Sequence, residues 1–593
     1  MKIMKPIVGI AAALALVATP LTAAYAADDT TKGSAIRLGA DLDQIDTLNP
    51  FTSIFDVALT VLSYQYDPVA GTAESGDYVG LLADDFSAEG NVWTYHIRDE
   101  AKWSDGEPVV ADDVVWTYES VKNDKAMQVA NGESVGNIAK VTAVDDKTVT
   151  FETNSPTALH PGTLPIVPKH IWEKLDDPAT YENTTDVVGS GPFVISEYKR
   201  GTSITMQANP NFYGGAPGVD KLLISGFKNT DAMVLALRNG EIDMVGGLSS
   251  AQYDSLKEVK GIETYQAEST HFWNLTINPG WKTTSGEAFG TNAKVLEDQA
   301  FRQAIGQAID RKTLVDRVIN GQGSEGPAMI PPGSPGGFFT QLEGVARTQG
   351  TEEAVKSLEA AGYTTDAAGN RLDKDGNPIT LRLMYNGSST ANTATAEFVT
   401  SWFKDLGIPL DVKTTNWDEM SGNLIPKGDY DMYIDGWGVG QDPDYMLSIN
   451  VCSTLPDAPA TRGASQVGMC LPEYDAVYQA QHTELDPAAR KELVIEAQKL
   501  IYEYGAVAMF YFDDALGAYN SDTLDNLVVV KGSPNNRFSI AQATVKGADE
   551  GSTGGSDGGS QGWLIGGGIG LVALIAIGVV VGTRRKKSAD DRK

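Results

Sequence analysis

The sequence predicts a mixed α/β body of more than one lobe, on two observations. At 593 residues the chain exceeds the roughly 250–300 residues beyond which one hydrophobic core stops growing and a chain divides. Along it, short segments that alternate apolar and polar residues are interleaved with segments of helical spacing, the mark of sheet and helix in one body. An apolar content of 42 % and an aromatic content of 8 % are ordinary for a globular protein.

Taken in order, residues 35–40 alternate and read as an opening strand. Leu48-Asn-Pro-Phe51 turns the chain, and residues 57–66 have helical spacing. Asn91-Val-Trp-Thr-Tyr-His-Ile-Arg98 is a period-two strand, followed by Lys102-Trp-Ser-Asp-Gly-Glu-Pro108 with its Asp-Gly turn dipeptide. Residues 109–118 continue as a helix capped near Ala111-Asp112, with Val114, Val115 and Tyr118 on one face. Residues 141–153 read as a hairpin around Asp145-Asp146. Farther on, the stretch from Tyr430 to Trp437 alternates as a half-buried strand and stops at a loop. There Gly436, Gly438 and Gly440 bracket Trp437, ahead of Asp442-Pro443-Asp444. Glycines let a backbone come close to another group, an indole offers a broad face and one donor, and carboxylates accept from an amine or hydroxyl. That combination is a plausible ligand platform; a Gly-rich turn over a core Trp is the plain alternative.

The termini carry their own signals. Met1-Lys-Ile-Met-Lys5, an apolar run to Leu21 and Ala24-Tyr-Ala26 make residues 1–26 a secretory signal, with no Cys for a lipid anchor. Residues 547–562 are a Gly/Ser/Asp linker, and residues 563–582 an apolar run of the length that spans a bilayer. Basic residues, Arg584-Arg-Lys-Lys587, open the tail at 583–593, so the expected topology is body outside and tail inside. Gly566 and Gly570 form a small-xxx-small pair within the span. The expectation is an exported, membrane-tethered protein. The two cysteines, Cys452 and Cys470, lie in the exported body, where oxidising conditions favour a disulfide over a short loop, worth roughly 3 kcal/mol of closure entropy. Zinc is disfavoured, because no His lies near the pair.

A formal net charge of −32 repels phosphate backbones and argues against a nucleic-acid partner. Enzyme signatures are missing: no His-Glu-x-x-His, no phosphate loop, no Gly-x-Ser-x-Gly elbow. The five histidines, His96, His160, His170, His271 and His482, are scattered. Asp373-Lys-Asp-Gly-Asn377 imitates the start of a calcium loop, but Pro378 stands where that loop requires Gly. No enzyme activity, cofactor or metal is expected.

The run Trp93-Thr-Tyr-His-Ile-Arg98, Lys102 to Pro108, and Ala111-Asp-Asp-Val-Val-Trp-Thr-Tyr118 resembles the signature of family 5 extracellular solute-binding proteins. These are the oligopeptide- and dipeptide-binding components of ATP-binding-cassette importers. The resemblance continues through Gly189-Ser-Gly-Pro-Phe193, Asn209-Pro-Asn-Phe-Tyr213, Leu237-Arg-Asn-Gly-Glu-Ile-Asp243, Phe301-Arg-Gln-Ala-Ile305, Ala308-Ile-Asp-Arg311, Gly436-Trp437 and Glu473-Tyr-Asp-Ala-Val-Tyr478, in family order over about 35–546. It implies a two-lobed clamshell of the class II periplasmic-binding-protein type. One lobe would combine residues 27–66, 187–270 and 514–546, with an inserted subdomain at 67–186; the other would span 271–513. It also implies a membrane permease as partner and a peptide as ligand. The peptide would lie along residues 434–439, the strand end holding Asp435, Gly436, Trp437 and Gly438, facing a segment near 52–56 that includes Ser53 and Phe55. Relatives hold the peptide ammonium with an Asp three residues beyond the Trp; here that position is Gly440, and the first acid is Asp442. Either Asp442 replaces it, or the ligand has no ammonium. An oligosaccharide stacked on Trp437, Trp273 or Trp417 is the alternative ligand, with core packing the expected role for Trp417. A surface solute receptor or adhesin is the alternative role. Trp93, Trp103 and Trp116 belong to the fold.

Overall fold

The structure is a computed structural model and describes residues 34–72, 78–440, 442–461, 463–528 and 536–547. The predicted signal at 1–26, nearly all of the linker, the span at 563–582 and the basic tail lie outside these residues. Among the described residues no helix is long and apolar enough to cross a membrane. The described residues up to Lys546 fall in one of the two compact units into which the chain divides.

Its spine is a twelve-stranded mixed sheet. Ala35–Ala40 is the predicted opening strand, with Ile36 and Leu38 buried, and it pairs in parallel with Lys221–Gly226 over its whole length. From there the order runs outward through Ser203–Ala208 to Phe193–Lys199. In the other direction it runs through Met244–Gly246, Val507–Asn520, His271–Ile277, Met432–Gly438 and Leu381–Asn386 to Leu410–Thr415. Val507–Asn520 joins the two halves. Its first part pairs with His271–Ile277, and its last part with Ile262–Glu268 and Met244–Gly246. Ser269 and Thr270 link the Ile262–Glu268 and His271–Ile277 strands, and the Ser269 hydroxyl donates to the Asp513 carbonyl at 2.5 Å. Separate buried clusters fill the space beside each half. One is centred on residues such as Phe51, Trp103 and Phe193, the other on Leu275, Phe301 and Phe403.

The early blocks build a four-stranded antiparallel sheet in the order Ala83–Glu89, Val92–Ile97, Thr148–Thr153, Ile138–Ala143. The predicted hairpin is therefore present, and its turn is held by Asp145, whose Oδ1 accepts from the N–H groups of Lys147 and Thr148. The helix is longer than predicted, Ala111–Asn123. Its N-cap is Val110, just before the predicted position, and the Asp113 carboxylate in the first turn reaches back to the Val110 N–H at 3.0 Å and accepts the Trp103 indole N–H at 3.2 Å. Trp93 and Trp103 are buried and Trp116 packs against the same core. Cys452 and Cys470 are joined in a disulfide.

Candidate functional site

Met432–Gly438 lies against His271–Ile277 over seven residue pairs. Its other edge pairs with Leu381–Asn386 only at Met432 and Tyr433. Among the described residues, the edge over 434–438 therefore has no strand partner. Met432 and Ile434 root the strand in the core, while Gly438 reaches the surface. Gly436 is required by what lies opposite: a Cβ there would stand 2.8 Å from the Trp273 ring, its register partner. The two tryptophans are thereby brought to one strand end.

Trp437 is half-buried, and its indole N–H donates to the Asp435 Oδ2 at 2.7 Å. Its one donor is consumed, so it presents a ring face. Asp435 is 6 % exposed and also accepts the Gly436 N–H at 2.9 Å. Burial pushes its carboxyl up to about 6, against the opposing pull of those two hydrogen bonds and of the His271 charge. His271 sits beside Gly438, its Nδ1 3.7 Å from the Asp513 Oδ1. Burial pulls the imidazole down, but Asp513, then Asp435 and Asp56, outweigh it and hold the imidazole above its ordinary value. Asp56, whose charge acts least of these three, opens the helix Asp56–Ser63.

Three expectations need correction. Ser53 does not face a ligand: it is fully buried and its hydroxyl donates to the Asp46 Oδ1 at 2.8 Å. Its neighbours Ile54 and Phe55 are the exposed apolar members of that segment, joined by Leu59. Asp442 is not open to an ammonium. Arg490 holds it in a two-pronged fork, Nη1 to Oδ2 at 2.6 Å and Nη2 to Oδ1 at 2.7 Å, a geometry that takes up both carboxylate oxygens. Trp417 is not core; it is 44 % exposed at the start of a short helix.

Sequence reasoning missed Arg490, His271 and Asp513. Arg490 lies 48 positions from its partner, and no local pattern announces such a pair. Asp444, an acceptor of the expected platform, is instead buried and gathers the Tyr478 hydroxyl, the Gln481 amide and the His482 imidazole behind the Asp442 loop. Among the described residues no group of three or more His, Cys, Asp or Glu side chains is placed to hold a metal ion.

Residues 69–455 match the family model described as bacterial extracellular solute-binding proteins, family 5 middle. The chain belongs to this family. It is similar to protein XP55 of Streptomyces lividans, 27 % identical over 467 residues, covering 75 % of this chain and 81 % of that one. It is similar also to the oligopeptide-binding protein OppA of Bacillus subtilis, 27 % identical over 451 residues, covering 72 % and 77 %. Among solved structures it resembles the ABC transporter substrate-binding protein CtaP of Listeria monocytogenes. That match has a TM-score of 0.72 and 22 % identity, and covers 87 % of this chain and all of the other. The fold is thus the α/β fold of family 5, a family of binding proteins rather than enzymes. In this member the open strand edge, the two tryptophans and the fork of Asp442 and Arg490 are the features from which a ligand reading starts.

Proposed function

We propose that this family 5 protein is the extracellular substrate-binding component of an ATP-binding-cassette importer, capturing peptides between two lobes for a membrane permease. One observation supports the peptide reading above the rest: residues 434–438 leave a strand edge free beside Trp437 and Trp273. An extended peptide adds to such an edge through main-chain hydrogen bonds, which are sequence-tolerant, while rings and pockets select its side chains. The name of the similar OppA, an oligopeptide-binding protein, points the same way. The lobes of this reading divide at 270/271 and 513/514, with residues 67–186 as the inserted subdomain, so that Ile54 and Phe55 oppose the strand end. Trp437, Trp273, Gly436, Gly438 and Phe55 then contact the ligand, with Asp435 behind them.

The Asp442–Arg490 fork favours a second reading. With Asp442 already neutralised, a ligand lacking an ammonium, such as an oligosaccharide stacked on the two tryptophans, suits the strand end equally well. Native mass spectrometry of freshly purified protein separates the two. A family of peptide masses released on unfolding is the expected result; a hexose ladder would move the oligosaccharide ahead, and no bound solute in any preparation would count against capture.

In this reading the body is exported by the signal at 1–26 and tethered by the apolar run at 563–582. A sixteen-residue linker at 547–562 reaches roughly 20–25 Å, enough to hold the binder over a permease at an effective concentration towards the millimolar range. Cutting the chain before Trp563 is expected to leave ligand affinity unchanged, release the protein to the medium and sharply lower uptake. A cut form that stays cell-bound, or that supports full uptake, would favour a surface receptor or adhesin.

A further inference from the structure

At the other end of the strands that carry the two tryptophans lies a recess of different chemistry. Trp273 pairs with Tyr511, whereas Leu275 and Thr276 pair with Ala508 and Val507. Val507 and Ala508 form one wall of this recess, and Arg302, Arg311 and Arg347 line it. Arg302 is 3 % exposed and Arg311 is 7 % exposed. Arg302 comes from the helix Gln299–Gln307 and Arg311 from the helix Arg311–Val318, so the recess lies where two helices meet the joining strand.

Both guanidinium groups find hydrogen bonds but no counter-charge. Arg302 gives Nη1 to the Leu296 carbonyl at 2.8 Å and Nη2 to the Tyr504 carbonyl at 2.7 Å, while its Nε is buried without a partner. Arg311 gives Nε to the Met509 carbonyl at 3.0 Å. Among the described residues neither forms an ion pair; of the three, only Arg347 does, with Glu503 at 2.6 Å. Burial pulls both guanidinium groups down from their ordinary values. The fields of Tyr504 and Asp298 at Arg302, and of Tyr502 and Glu325 at Arg311, offset that only in part. An arginine does not escape by losing its proton, and a carbonyl satisfies an N–H without neutralising the charge. Two buried cations without an ion-pair partner among the described residues are the more notable in a chain with 78 acidic residues against 46 basic ones.

We propose that this recess binds a compact inorganic anion, an oxyanion of the phosphate or sulfate kind or a chloride, held by Arg302, Arg311 and Arg347. The anion supplies the missing counter-charge and ties the two helices, the Arg347 segment and the first residues of the joining strand together. It plays no part in ligand capture. By mass action it stabilises the folded chain wherever it is present above its dissociation constant.

Thermal unfolding of the whole chain in mild detergent tests this. Sulfate, phosphate or chloride is titrated against gluconate at constant ionic strength, because gluconate is too large to enter. The expected result is a saturable rise of roughly 2–4 °C for the compact anions alone. Gly306, which lines the recess from the helix Gln299–Gln307, has room for a Cβ: it would stand 3.5 Å from the Ala508 Cβ across the recess, an ordinary contact. Gly306→Leu fills the recess and is expected to abolish the rise. Should that variant fail to fold, Arg347→Ala decides, with the apparent sulfate affinity falling at least about fivefold. No difference between compact anions and gluconate overturns the proposal. So does a rise that persists undiminished in folded Gly306→Leu, or an affinity unchanged in Arg347→Ala.

Discussion

Replacing Trp437 by Ala is expected to weaken ligand binding by at least about 2 kcal/mol, roughly thirtyfold, the scale of a central aromatic anchor. The ring stands at the open end of Met432–Gly438 beside Trp273, and its N–H is already committed to Asp435. Its contribution to a ligand is therefore face contact and exclusion of water, both lost on truncation. Folding should survive, because the strand is rooted by Met432 and Ile434 rather than by Trp437. Calorimetry with the solute released from wild-type protein measures the effect, and a loss below threefold would place the ligand elsewhere.

Asp435→Asn is expected to flatten the pH dependence of stability between about pH 4 and 7. Burial raises the folded carboxyl from 3.8 to about 6. Between those values the folded state holds a proton that the unfolded state has released, so stability falls as the pH rises through this window. The contribution is intact below the unfolded value and gone above the folded one. A shift of this size is worth on the order of 3 kcal/mol. Asn has no charge to bury, so the variant should gain about that much on wild type between pH 4 and pH 7. One of the two hydrogen bonds from Gly436 and Trp437 is sacrificed at every pH, which offsets the curve without tilting it. Denaturant titrations at the two pH values give the double difference. An equal slope in both proteins would mean that Asp435 is not a buried, charge-strained acid.

Elements whose cause is local were legible in the sequence. The strand Val92–Ile97, the hairpin around Asp145 and the helix that begins at Ala111 follow from period, turn chemistry and a capping acid. The strand ending at Gly436-Trp437-Gly438 was legible for the same reason, as was the disulfide, whose partners lie 18 positions apart. What failed was non-local. No pattern in 507–520 says that one strand serves both halves of the sheet, since pairing partners at 244–246, 262–268 and 271–277 are far away in sequence. Asp442 was left as a candidate acceptor for an ammonium because Arg490, which neutralises it, comes from the helix Pro487–Tyr504. Ser53 was read as a contact because its burial depends on Asp46, whose turn leaves no periodic trace. Gly436 looked like a turn residue, and only the Trp273 ring across the register explains why it must be glycine.

The open strand edge is the centre of the account, and amide hydrogen exchange on the strand Met432–Gly438 tests it most directly. Protein stripped of ligand is compared with protein saturated with the solute that co-purifies with it. Main-chain pairing by a bound peptide should slow exchange over 434–438 at least tenfold, while 273–276, already paired on both sides, changes little. Tight binding of that solute with no added protection at 434–438 would contradict strand addition.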